Sequence, residues 1–116
     1  MEINVSSLGD RLVKVTLVGR LDASGVDRIE TRFVAHLVPA ANSAIVDLSQ
    51  VDFIASMGLR MLVAASQSLR TREAKLVLFG VQPPVRQVFE AVALHKIIPI
   101  VSEEADALAA VGPSAQ

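Results

Sequence analysis

The sequence predicts an α/β domain, with a mixed, mostly parallel β-sheet and about four helices in the order β-β-α-β-α-β-α-β-α. Three observations predict it. A short, β-branched apolar run at 44–48 and a second apolar run at 75–79 read as buried strands, the first covered on both faces. Residues at helical spacing follow each of them. Two alternating stretches open the chain around a Gly-containing turn, as in a hairpin.

In the opening hairpin, Ile3 and Val5 alternate with polar neighbours, Ser6 to Asp10 makes the turn, and Leu12, Val13, Val15, Leu17 and Val18 form the second strand. Residues 19–25 break that pattern, and Val26, Ile29, Phe33 and Leu37 then set a helical stripe that ends before Pro39. Asp22 or Ser24 suits its N-cap, since a short side-chain oxygen can accept from the first free N–H groups. Ala44, Ile45, Val46 and Leu48 form an interior strand, with Asp47 near its end holding loop N–H groups. A polar crossing with an apolar touch at Val51, Phe53 and Ile54 leads to a central helix from about 57 to 71. Leu59, Leu62, Val63, Ser66 and Leu69 face inward from it, whereas Arg60, Gln67 and Arg70 face out. Leu62, Val46 and Val77 are expected to share one layer between helix and sheet.

Lys75–Phe79 is a further buried strand closed by Gly80. Pro83 and Pro84 suit the first turn of a third helix, where a missing N–H costs nothing, and Val85, Val88, Phe89 and Val92 give its stripe. Lys96–Val101 makes a last strand, at an edge because of Pro99. Ser102, Glu103 and Glu104 open a final helix through Leu108 and Val111, with acids where the dipole favours them. The domain covers 1–112, and 113–116 is expected to be a flexible tail.

Composition narrows the function. Eleven basic against twelve acidic residues leave a charge of −1, without the basic footprint of a nucleic-acid binder. Aromatics at 3% offer no base-stacking platform. With no cysteine there is no disulfide framework and no thiol chemistry, which fits a cytoplasmic setting. No apolar run approaches the roughly 20 residues of a membrane span, and the start of the chain does not read as a signal peptide, so a soluble, unprocessed protein without membrane insertion is expected.

In open sheets of this kind, sites form beyond the C-terminal ends of strands. The loops after strands two, three and four, carrying Asp22, Ser56 and Gln82, are expected there. Ser56 stands at the start of the central helix, where unpaired N–H groups and the positive end of the dipole favour an added anion. Residue type alone also allows a plain N-cap at Ser56, a second cap at Asp22, a solvated Arg60, and core positions for Met57 and Phe53. Gly58 allows close backbone approach.

Gly19-Arg20-Leu21-Asp22, Val46-Asp47-Leu48-Ser49, Phe53-Ile54-Ala55-Ser56-Met57-Gly58-Leu59-Arg60 and Val85-Arg86-Gln87-Val88-Phe89-Glu90 resemble, in order and spacing, the STAS domains of bacterial anti-sigma-factor antagonists. The resemblance implies a binding module that captures an anti-sigma serine kinase and is switched off by phosphorylation at the central helix start. It carries over onto Ser56 as the phosphoacceptor, with Asp22, Ala55, Ser56, Met57, Gly58 and Arg60 as the partner-binding surface. A serine phosphatase would reverse the modification. Where the family commonly has Asp-Ser-Ser-Gly or Asp-Ser-Thr-Gly, this chain has Ala55, Ser56, Met57 and Gly58, so only Ser56 keeps a hydroxyl. The other reading is a STAS-type subunit of another complex, such as a lipid-transport ATPase, with Ser56 a contact and not a switch.

Enzymatic readings fare worse. Ile54 replaces the first glycine of a Gly-x-Ser-x-Gly elbow, and neither His36 nor His95 is placed as its base. A receiver-type phosphoaspartate site would need a lysine near Asp22 and Asp47, but Lys75 begins its strand at the opposite edge. The histidines and acids show no metal-ligand spacing, so no metal, cofactor or catalytic residue is expected.

Overall fold

Strands β1 (Glu2–Gly9) and β2 (Leu12–Leu21) pair antiparallel through a two-residue turn at Asp10 and Arg11, the latter at φ 57°. The chain is described by a computed structural model covering residues 1–112, so the tail expected at 113–116 lies outside the described residues. The turn is tighter than the sequence predicts. Ser6 and Ser7, assigned to it, pair with Lys14 and Val13 instead, because polar residues on an exposed edge strand lose nothing by joining the ladder.

Helix α1 (Ala23–Leu37) leads to β3 (Ser43–Ile54), α2 (Ser56–Arg70), β4 (Leu76–Phe79), α3 (Pro83–Ala91), a 3₁₀ turn at Leu94–Lys96, β5 (Ile100–Val101) and α4 (Glu104–Val111). The sheet order is β1-β2-β3-β4-β5, and every pair after the first is parallel. Three successive crossovers step the same way along the sheet, so a common handedness puts α1, α2 and α3 on one face. There they bury Val15, Leu17, Val46, Leu48, Leu76 and Leu78. Among the described residues, helix α4 is the one helix that covers Ile45, Val77 and Phe79 on the other face, tied to the sheet by the Lys14 Nζ to Glu104 Oε1 ion pair at 2.8 Å. Val77 therefore packs under α4 and not in a layer with Leu62 and Val46, because neighbours along a strand point to opposite faces. Within α2, Met61 and Ala65 are buried beside Leu62, Ser66 and Leu69, while Leu59 and Val63 lie at the margin.

The polar crossing expected after Leu48 is strand throughout. Strand β2 runs from Leu12 to Leu21 while its partner runs from Ser43 to Ile54, and register shifts between Thr16 and Val18 and between Gly19 and Arg20 absorb the two extra residues of β3. Each extra residue is a bulge that re-aims the side chains beyond it. Leu48, Val51 and Ile54, three apart, consequently all reach the core. Asp47 thus sits within the strand, and its Oδ1 accepts the Ser49 N–H at 2.9 Å. The last strand is shorter than expected, since Ala93 at φ 54° turns the chain into the 3₁₀ segment and leaves only Ile100 and Val101 to pair with β4.

Candidate partner-binding site

Leu21 and Ile54 are register partners at the C-terminal ends of β2 and β3, so the two chains leave the sheet together and each turns into a helix. The Asp22 Oδ1 accepts the Gly25 N–H at 2.8 Å, which makes Asp22 the N-cap of α1. That backbone hydrogen bond first, and the Arg20 guanidinium beside it, hold the Asp22 carboxyl below its ordinary range. Between the two predicted caps, Asp22 takes the role and Ser24 does not.

At α2 the cap position belongs to Ala55, whose side chain cannot accept. Ala55 is tied instead through its backbone, donating N–H to the Leu21 carbonyl at 3.0 Å and accepting from Leu59 N–H at 3.1 Å. Ser56 is therefore the first residue of the helix and not its cap. It is exposed, and its hydroxyl has no hydrogen-bond partner among the described residues. A Cβ on Gly58 would stand 2.9 Å from both the Leu21 carbonyl oxygen and Ile54 Cγ1, so only glycine lets the first turn of α2 press this closely on the sheet.

Around Ser56 the surface carries apolar and charged side chains. Met57 and Phe53 are each 37% exposed, so neither takes the core place that residue type suggests. Arg60 is exposed one turn along from Ser56. The Arg20 guanidinium lies over the Phe53 ring at 4.1 Å from its centroid and 3.5 Å from Asp22 Oδ2, so an ion pair and a cation–π contact hold one side chain from two directions.

Asp22, Ala55, Ser56, Met57, Gly58 and Arg60 thus gather at one end of the sheet, with Gly58 buried beneath. Gln82 does not join them. Its Nε2 donates to the Ser49 carbonyl at 2.7 Å, and Ser49 lies about 16 Å back from Ile54 along an extended strand. The separation arises because β3 outruns β4, whose pairing ends at Asp47 with Phe79. Arg20, Phe53 and Gly25 lie beside these residues although the predicted surface omits them. Arg20 and Phe53 each precede a core residue, Leu21 and Ile54, which was a usable signal that they point away from the core. A Cβ on Gly25 would run into the Arg20 carbonyl oxygen, a contact no local pattern reveals.

Among the described residues, no group of three or more His, Cys, Asp or Glu could hold a metal ion, and no helix is long and apolar enough to cross a membrane.

A STAS domain family model matches residues 6–107. The anti-sigma-B factor antagonist of Listeria monocytogenes is 30% identical over 94 residues, covering 81% of this chain and 82% of that protein. An anti-sigma factor antagonist from Mycobacterium paratuberculosis superposes with a TM-score of 0.83 at 25% identity, covering 95% of this chain and 92% of the other. The Bacillus antagonist SpoIIAA shares the fold in its unphosphorylated form (TM-score 0.73, 20% identity, 90% and 92% covered) and in its phosphorylated form (0.69, 19%, 90% and 96%). The sheet order, the helix layers and a family match across most of its length agree: this chain belongs to the STAS domain family, among relatives named as anti-sigma-factor antagonists.

Proposed function

We propose that the chain is a non-enzymatic switch of the cytoplasm that binds an anti-sigma serine kinase through the Ser56 end of its sheet, and that phosphorylation of Ser56 ends the complex. The observation that carries this is the state of Ser56: exposed, outside the core, unpartnered among the described residues, and first in a helix held firmly by Gly58. A cap serine would have its oxygen committed to the helix. This one is free for a kinase. SpoIIAA, with the same fold, has been solved in a phosphorylated form, which supports the reading.

The physics of the switch follows from the position. A phosphate adds a charge of about −1.5 to −2 with three acceptor oxygens, and a helix N-terminus accommodates it without unfolding. The partner would meet a hydrated dianion where it had met a hydroxyl, and burying that charge unpaired costs several kcal/mol. A loss of about 2.8 kcal/mol is already about a hundredfold in affinity.

The test is co-purification with the anti-sigma partner followed by intact-mass measurement with and without ATP. The expected outcome is a gain of one phosphate mapping to Ser56, with release of the complex. Ser56→Ala should bind and resist ATP-dependent release, whereas Ser56→Asp should bind weakly with an unchanged melt. An unchanged mass, or a phosphate on another residue, would defeat the switch and leave the alternative of a fixed STAS subunit that uses Ser56 as a contact.

A further inference from the structure

The other end of α2 holds a cavity of about 440 Å³, bounded by the last turns of the helix, the start of β4, the segment before β5 and the α4 residue Ala110. Its volume lies within the range of small-molecule sites, roughly 300–1000 Å³. The lining of this cavity combines two chemistries. Leu76, Ile97, Pro99 and Ala110 are its apolar members, and Ile97 is 39% exposed. Ser66, Arg70 and Lys75 bring a hydroxyl and two cations to the same lining.

Ser66 is the informative member. It is only 2% exposed, yet its hydroxyl makes no hydrogen bond among the described residues, not even back to the carbonyl one turn earlier. No buried side-chain oxygen or nitrogen among those residues is both sealed and unsatisfied, so the Ser66 oxygen must open into the cavity it lines. A hydroxyl in so little solvent is costly to leave unpaired. Arg70 is four residues on, hence beside Ser66 on one helix face. Neither Arg70 nor Lys75 has an ion-pair partner among the described residues.

Two features could oppose an anion here. One is the negative end of the α2 dipole, but its terminal carbonyls are occupied: Leu69 O accepts from Arg72 and Ala74, Arg70 O from Glu73, and Gln67 O from Thr71. The other is the Glu73 carboxylate, also in the lining, which two cations outnumber. We propose that this cavity binds a small alkyl carboxylate, with the carboxylate held by Ser66 Oγ, Arg70 and Lys75 and the tail laid against Leu76, Ile97 and Ala110. A hydroxyl and a guanidinium one turn apart match the two oxygens of one carboxylate, and an apolar tail covers Ile97. The site is separate from the Ser56 surface, so the inference stands whether or not the switch does.

The experiment is an NMR titration of the full chain with octanoate, octanol and octylammonium. Octanoate should bind saturably, shifting the amides of Ser66, Ala74, Ile97 and Ala110. Octanol should bind about tenfold more weakly or worse, for want of charge-assisted hydrogen bonds. Octylammonium should not compete. The double change Arg70→Gln with Lys75→Gln should weaken octanoate by at least about tenfold, and Ser66→Ala should weaken it severalfold without lowering the melting temperature. Ala110→Leu should fill the cavity and abolish binding. If that variant misfolds, the glutamine pair and Ser66→Ala decide the matter. Octanoate shifts that never saturate, shifts that map elsewhere, octylammonium binding as tightly, or affinity indifferent to the glutamine pair would each overturn the proposal.

Discussion

The Asp22 carboxylate accepts the Gly25 N–H and sits beside Arg20, so one side chain starts α1 and orients the guanidinium that covers Phe53. Because its pKa is lowered on folding, its charge contributes stability above the ordinary carboxylate pKa, and that contribution is lost as pH falls through the lowered value. Asp22→Asn keeps an acceptor but no charge. Its melting temperature should therefore fall below wild type at neutral pH, with the gap closing on acidification; a gap independent of pH would show that the charge contributes nothing. Asp22→Ala should lose more, since the cap itself goes. At Phe53 the expected loss is in binding. Phe53→Ala should cost the proposed anti-sigma complex about 2 kcal/mol, as a truncated aromatic anchor does, with little change in melting. Calorimetry showing unchanged affinity would remove Phe53 from the interface.

Elements whose side chains follow one period were legible in the sequence, and those that change period were not. The stripe of α1 was legible because Val26, Ile29, Phe33 and Leu37 keep helical spacing without interruption. So was β4, a short run buried at every position. The second half of β3 was not, because its bulges put Leu48, Val51 and Ile54 three apart, which matches neither a strand nor a helix. The site was partly legible for the same reason. Ser56 and Gly58 stand in a local motif, whereas Arg20 and Gly25 depend on contacts across the sheet and the loop. The two helix layers also separate in a measurable way. Leu62→Ala, in the three-helix layer, should cost about 2–5 kcal/mol in urea unfolding. Val77→Ala should cost less, about 0.5–3 kcal/mol, and speed hydrogen exchange in α4 more than in α2. Equal exchange in both helices would mean that the layers are not independent.

The molecule as a whole carries its two proposed surfaces at opposite ends of α2, one at Ser56 and one at Ser66 and Arg70. What positions the first is the mismatch between β2 and β3. Ten residues on one rail are read against twelve on the next, like the two scales of a vernier, and the surplus sets where the chain leaves the sheet. At Gln50 the count then matters more than the letter. Gln50→Ala should be nearly silent, because the residue is exposed. Deleting Gln50 should either turn Val51 and Ile54 out of the core or draw Ser56 back by about 3.3 Å. A markedly lowered urea midpoint, or a folded chain that no longer captures its partner, is the expected result, and a deletion with neither effect would show that the scale slides freely. The chain can therefore change its residue at position 50 and keep Ser56 in place, while one missing residue would move the proposed switch out of reach of its proposed partner.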